Sequence, residues 1–384
     1  MSGERFALVA GGGTAGHLQP ALAVAEALVE AGHPRESIEF VGSDRGQDRV
    51  TLEGRGFPFT LLPGRGIVRS LKPSDLRTNL GAAAGLASAV VRGFGIVMRA
   101  RPRVVVSVGG YASLAASLAA VVLRVPLVLV NVDAVPGSAN RLFGRFARAS
   151  AVGWEGTPLP RAVVTGTPVR PEVRAVDRTP ESRRSARAAL GIPEGTPTVA
   201  VFGGSLGARR LNQAASGLAG EWSDRADRAI YHIVGRREWD QYGPVASEGT
   251  PGRGPFVMRV PYENRMDLVY AAADVVVCRA GAMTVAELAV AGVPSILVPL
   301  PGAPGDHQTA NARVLSGADA AILIADDACQ SSSLAVTLDG MLDDPAKLEA
   351  MGRAASSLGR PDAAAAGAAV VESHARPPWG RTRP

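Results

Sequence analysis

The chain has 384 residues, 46% of them apolar and 20% charged, and its 41 Lys and Arg outnumber 35 Asp and Glu for a net charge of +6. At roughly 150 residues per domain this predicts two or three domains with sizeable cores and excludes intrinsic disorder. Only Lys72 and Lys347 are lysines, and only Cys278 and Cys329 are cysteines, which excludes a Lys-based P-loop, a disulfide framework and a four-cysteine zinc site.

The first apolar run, 6–10, follows Glu4 and Arg5. It is too short for a secretory hydrophobic region of roughly 7–15 residues, and it reads as a strand. Further strands are predicted at 37–41, 104–108, 126–130, 198–202, 230–234, 274–278 and 295–299, with helical spacing between them, as at 20–31 and 283–291. The longest apolar stretch, 112–130, is broken by Arg124 and Pro126. Because a spanning helix needs about 20 unbroken residues, this stretch reads as a helix over 112–123 and a buried strand. Strand–helix alternation with strands apolar on both faces predicts an α/β protein of parallel sheets. The organisation reads as residues 1–164, a Pro- and Arg-rich linker at 165–195, a second domain at 196–355, and a tail at 356–384 holding a helix over 363–374 and a disordered end.

Four glycine turns each follow a strand and open a helix. Gly11-Gly12-Gly13-Thr14-Ala15-Gly16 satisfies G-x-G-x-x-G, a pattern that lets backbone amides approach an anion. Taken alone it is open to a nicotinamide dinucleotide, with Glu39 or Asp44 as the ribose acid, or to a plain tight turn. Gly109-Gly110-Tyr111, Gly203-Gly204-Ser205-Leu206-Gly207-Ala208 and Arg279-Ala280-Gly281-Ala282-Met283-Thr284 repeat the arrangement. Four anion-ready helix starts in two domains suit two phosphorylated substrates better than one dinucleotide. Glu287 stands three residues past Thr284, so it is open to a capping-box reading or to a carboxylate for ribose hydroxyls. His17, just past the first loop, is a candidate acid–base group, and Asp306-His307-Gln308 opens a further helix. His33, His232 and His374 lack metal-ligand spacing.

Together these motifs, with Ala134-Val135-Pro136-Gly137, Asn140-Arg141, Gly166-Thr167-Pro168-Val169-Arg170 and Asn311-Ala312, resemble the MurG family over about residues 5–355. Its members are N-acetylglucosaminyltransferases that convert lipid I to lipid II in peptidoglycan synthesis. The resemblance implies the GT-B fold, two Rossmann-like parallel-sheet domains facing across a cleft. It implies that UDP-GlcNAc lies mainly on the second domain. Ser205 and its loop would hold the diphosphate, with Arg170 neutralising charge. Ala282, Met283, Thr284, Val285 and Ala286 would give backbone contacts, Glu287 the ribose contact and Gln308 contacts to the sugar, and the uracil would be read near Glu263. Thr14, Ala15 and Gly16 would face the lipid I diphosphate and border UDP-GlcNAc, as would Asp133, where the family's Asn contacts the donor, with His17 near the reacting hydroxyl. The chain departs from the family at Ala15 (usually Gly), at Val130-Asn131-Val132-Asp133 (usually His-Glu-Gln-Asn) and at Thr167 (usually Asn).

The implied reaction inverts the anomeric centre, with the C4 hydroxyl of N-acetylmuramic acid attacking from the face opposite UDP. His17 is the first choice of base and Asp133 the alternative; neither a metal nor another cofactor is needed, because helix termini and arginine stabilise the leaving diphosphate. Between 61 and 103 eight cations meet one acid, Asp75, among apolar residues. Ile67, Leu71, Lys72, Phe94, Arg99, Arg101 and Arg103 are therefore expected to dock on an anionic inner-membrane surface at the cytoplasmic face, as in a peripheral enzyme. Few aromatics accompany these cations, so a nucleic-acid partner is not expected. Two alternatives stand beside the transferase: a nucleotide-sugar epimerase or hydrolase on the same fold, and a weakened, non-catalytic donor-binding paralogue.

Overall fold

Strands buried on both faces organise the molecule. The computed structural model describes residues 4–12, 15–44, 48–63, 73–204, 207–247 and 254–378, without the side chains of 15, 73–84, 86–87 and 246–247. Two units are present: Met1–Pro168 with Asp362–Pro384, and Val169–Pro361.

In the first unit β1 (Ala7–Gly11), β2 (Ile38–Ser43), β3 (Phe59–Leu62), β4 (Val104–Gly109), β5 (Leu127–Asn131), β6 (Ala149–Val152) and β7 (Ala162–Val164) form a parallel sheet in the order β3-β2-β1-β4-β5-β6-β7. In the second unit the strands are β8 (Thr198–Phe202), β9 (Ala229–Ile233), β10 (Val245–Ser247), β11 (Phe256–Val260), β12 (Val275–Cys278), β13 (Ser295–Leu297) and β14 (Ala321–Leu323), in the order β10-β11-β9-β8-β12-β13-β14. Only the β10 edge is antiparallel. Leaving out β7 and β10, each sheet runs third, second, first, fourth, fifth, sixth in chain order. The duplicated architecture expected from the two glycine-turn units is thus a duplicated strand order.

Apolar side chains on both faces of these strands meet helices. Helix Ala15–Glu30 buries Leu18, Ala21, Leu22, Ala25 and Leu28 against Val9, Val104 and Val106, a stripe at helical spacing. Each large aliphatic side chain buried in this way contributes about 1.5–3 kcal/mol. Pro20 lies inside this helix, which starts five residues earlier than the spacing predicts.

All eight predicted strands are present within two residues at either end, and β3, β6, β7, β10, β11 and β14 are additional. These six are short, and several lie at or near a sheet edge. β7 is only three residues long and exposed throughout, and the β11 run is interrupted by Arg259 and only partly buried, so neither carries the long apolar signal of a central strand. The stretch expected as a linker, 165–195, belongs mostly to the second unit. There Arg183 and Arg187 of helix Pro180–Leu190 hold Asp274 beside β12, with Arg187 Nη2 at 2.7 Å. The expected tail also divides. Helix Pro345–Leu358 belongs to the second unit, whereas helix Ala363–His374 packs on helix Ala15–Glu30 of the first. Gly367 makes that approach close, since a Cβ there would stand 3.3 Å from Val24 Cγ2. Residues 379–384 of the expected disordered end lie outside the described residues.

Candidate active site

Strand order reverses at β1/β4 in one sheet and at β8/β12 in the other. Ligands of open α/β sheets bind at the carboxyl ends of strands at such points. All four glycine turns fall there, after β1, β4, β8 and β12.

In the first unit His17 lies in the opening turn of helix Ala15–Glu30. Its imidazole rests on the turn after β4. A Cβ at Gly109 would stand 3.0 Å from His17 Cδ2, and one at Gly110 would stand 2.6 Å from the Gly12 carbonyl. Both glycines also have positive φ, +101° and +84°, a region that side chains disfavour. Gly12 is similarly constrained, because the buried carboxylate of Asp48, which accepts from Ser43 N at 2.9 Å, fills the space a Cβ would need. Asp133 follows β5, the next strand, and is half-buried. Its backbone is pinned from several sides. Asn131 Nδ2 donates to the Asp133 carbonyl at 2.6 Å, Asn140 Nδ2 to Asn131 Oδ1 at 3.1 Å, and Thr167 Oγ1 to the Val132 carbonyl at 3.1 Å. His17, Gly109-Gly110 and Asp133 thus follow three neighbouring strands. Glu39 sits near the start of β2, at the opposite edge, where its carboxylate accepts from Arg99 Nη2 at 2.7 Å and Thr60 Oγ1 at 3.1 Å. That position removes it as the ribose acid of a dinucleotide.

In the second unit Gly203 and Gly207 are held by close packing: Cβ atoms there would meet Ala208 Cβ at 2.3 Å and the Val234 carbonyl at 2.3 Å. Helix Arg209–Glu221 follows, with its first N–H groups at the end of the turn. After β12, Arg279 donates to the carbonyls of Val298 and Pro299, and Asn311 Nδ2 donates to the Ala280 carbonyl at 3.2 Å. Helix Ala282–Ala291 then starts from Gly281 with no side-chain cap. Ala282, Met283, Thr284, Val285 and Ala286 form its first turn and a half. Thr284 is therefore inside the helix, and the capping-box reading of Thr284 and Glu287 is replaced.

Glu287 is buried, and its two oxygens have different partners: Arg170 Nε donates to Oε1 at 3.0 Å and the Tyr270 hydroxyl to Oε2 at 2.8 Å. Burial opposes the Arg170 charge, but the Glu287 carboxylate outweighs it and raises the Arg170 pKa. Burial first, then Glu287, pushes the Tyr270 phenol well above its ordinary range, so it stays a donor. Gln308, in helix His307–Ser316, accepts the Leu300 N–H on Oε1 at 2.9 Å. Glu263, in the loop after β11, accepts from Tyr231 and from the Arg265 amide and guanidinium at 2.8–3.0 Å. Burial would lift its carboxyl, but those donors prevail and hold it at about 2. Tyr270, Tyr231 and Asp48 were not singled out by sequence. No motif marks them, and the partners of the two tyrosines, Glu287 and Glu263, are 17 and 32 residues away.

Thr14, Ser205, Ile67, Leu71 and Lys72, with the side chain of Ala15, lie outside the described residues; Gly16 is exposed in the first helical turn. The docking residues divide. Helix Pro73–Ala100 has 28 residues, about 42 Å at 1.5 Å per residue, and Phe94, Arg99, Arg101 and Arg103 lie at or beyond its far end. Phe94 packs on the core, Arg99 pairs with Glu39, and Arg103 covers the Phe6 ring and donates to the Arg376 carbonyl at 2.7 Å. Among the described side chains of this helix the large apolar residues Val91 and Met98 are exposed, at 72% and 56%. Among the described residues no helix is long and apolar enough to cross a membrane, and no three His, Cys, Asp or Glu gather as a metal site.

Residues 7–152 match the N-terminal domain and 198–366 the C-terminal domain of glycosyltransferase family 28. A Desulforudis audaxviator protein is 37% identical over 93% of this chain and 95% of its own length, and a Nocardioides protein is 40% identical over 91% and 93%. Both are named UDP-N-acetylglucosamine–N-acetylmuramyl-(pentapeptide) pyrophosphoryl-undecaprenol N-acetylglucosamine transferase. The crystal structure of Acinetobacter baumannii MurG superposes with a TM-score of 0.74 at 25% identity, covering 97% of this chain and 99% of that one.

Proposed function

The chain belongs to glycosyltransferase family 28, in the GT-B class of two Rossmann-like units, and from that membership we propose that it moves N-acetylglucosamine from UDP-GlcNAc to the C4 hydroxyl of N-acetylmuramic acid in lipid I, forming lipid II. The observation that carries this reading is the placement of all four glycine turns at the carboxyl ends of strands flanking two strand-order reversals. That arrangement provides an anion-ready site in each unit.

The second unit takes the donor. The N-terminus of helix Arg209–Glu221 and the terminal amino groups of Arg170 stabilise charge growing on the leaving diphosphate. Glu287 accepts the ribose hydroxyls, and the 261–265 loop, stiffened by the Glu263–Arg265 pair, reads the uracil. Gln308 has its oxygen occupied by Leu300, so it offers its Nε2 donor to the sugar. The first unit takes the acceptor. His17 removes the proton of the attacking hydroxyl, with Asp133 the competing base; His17 stands just past the turn after β1, and Asp133 follows β5, the strand beside the β4 turn. The reaction needs neither a metal nor another cofactor.

Lipid I is anchored in a membrane, so the enzyme works at the cytoplasmic face as a peripheral protein on anionic lipid, with no nucleic-acid partner. The exposed face of helix Pro73–Ala100 supplies apolar contacts there. The test uses purified protein with radiolabelled UDP-GlcNAc, with and without lipid I. Label should pass to lipid only when lipid I is present. Release or isomerisation of the sugar without acceptor would identify a hydrolase or epimerase, and binding without turnover a weakened paralogue.

A further inference from the structure

Tyr270 belongs to none of the glycine turns. It sits in helix Met266–Ala272 and is 1% exposed, so no ligand reaches it. Its hydroxyl nevertheless ends on the carboxylate assigned to the donor ribose, opposite the oxygen that Arg170 holds. We propose that Tyr270 is a positioning residue for the donor ribose, acting with Arg170 as a two-sided clamp that aims the Glu287 carboxylate at the 2′- and 3′-hydroxyls. The inference rests on the ribose reading of Glu287 given above.

Three features carry it. An ionised carboxylate has about four acceptor sites. The clamp uses one on each oxygen and leaves one on each, which matches the two neighbouring O–H donors of a vicinal diol. The Glu287 side chain is only 8% exposed, so a ligand meets it along a narrow edge, and rotation would withdraw that edge. The Tyr270 ring is itself fixed, with Phe202 edge-on at 6.3 Å between centroids. The phenol and the guanidinium thus replace the rotational freedom of a glutamate by one orientation before the donor arrives, and such preorganisation favours affinity.

The test compares the affinities of UDP and 2′,3′-dideoxy-UDP by titration calorimetry. The native protein should prefer UDP by about tenfold or more, roughly 1.4 kcal/mol. Tyr270→Phe should remove most of that preference while its affinity for the dideoxy nucleotide stays within about twofold, and it should have no further effect once Glu287→Ala is present. Arg170→Gln should reduce the preference as well, since any contact it makes with the diphosphate is common to both nucleotides and cancels in the ratio. A Tyr270→Phe protein that keeps the full preference, whatever its melting temperature, overturns the proposal. If that variant does not fold, full preference in Arg170→Gln overturns the clamp instead. If Glu287→Ala alone keeps the preference, the ribose reading itself fails, and the proposal fails with it.

Discussion

His17 lies on a turn made of two glycines with positive φ, and Asp133 stands on a segment pinned by Asn131, Asn140 and Thr167. Both are placed firmly, so the identity of the base is decided by turnover. If His17 takes the proton, His17→Ala lowers kcat by roughly 10²–10⁴, with donor affinity nearly unchanged because the donor is proposed to lie mainly on the other unit. If Asp133 does so, Asp133→Asn gives that loss. Assays of both variants on a soluble lipid I analogue decide between them, and normal rates in both would reject both assignments. A second residue sets acid stability. His232 is buried on β9, with Nε2 2.9 Å from Asn212 Oδ1. Burial, assisted by Arg259, depresses it to about 3. Unfolded histidine titrates near 6.5, so below that pH the unfolded chain binds a proton that the folded chain refuses. The stability it contributes is full above 6.5 and is lost as pH falls toward 3, by up to about 1.4 kcal/mol per pH unit. His232→Gln should therefore lose less melting temperature between pH 7 and pH 5 than the native protein; equal losses would remove His232 from the acid limb.

Among the elements, helix Pro73–Ala100 shows how a basic, apolar stretch divides once folded. Its inner face buries Ile96 and Val97, Arg99 is drawn to Glu39, and Val91 and Met98 are left outward. Replacing Arg99 and Arg103 would disturb the unit itself, so the sharper test of membrane contact is Val91→Asp with Met98→Asp. These exposed changes should alter stability by no more than about 0.5 kcal/mol, leaving the melting temperature nearly unchanged. They should reduce sedimentation with anionic vesicles severalfold, and undiminished sedimentation would count against this face. The start of helix Ala282–Ala291 teaches a related lesson. Thr284 and Glu287 have capping-box spacing, but spacing does not say which residue begins the helix. Gly281 begins it, and that turns Glu287 inward to Arg170 and Tyr270.

For the molecule as a whole, the last helix completes the first unit. Ala368, Val370, Val371 and Ala375 join the core of helix Ala15–Glu30, and His33 Nε2 lies 2.9 Å from Glu372. Removing 362–384 should lower the melting transition of the first unit and spare the second, where UDP binding is assigned. Calorimetry should show one transition shifted and one unshifted. A uniform shift would mean that the units unfold together.

The central strands, the glycine turns and the doubling of the architecture were legible in the chain. Each depends on neighbours in sequence: continuous apolar runs, backbone that needs glycine, and a strand feeding directly into a helix. The edge strands β7 and β10 were not, since a strand of three residues has little local signal and is defined by the partner it pairs with. Nor was the linker's absorption into the second unit, which depends on Arg183 and Arg187 finding Asp274 about 90 residues away. The candidate site follows the same division. His17, Asp133, Glu287 and Gln308 were marked by motifs because each stands beside a turn. What those side chains face was decided by tertiary packing, because a carboxylate's charge and orientation depend on groups such as Tyr270 and Arg170 that only the fold brings within hydrogen-bond reach.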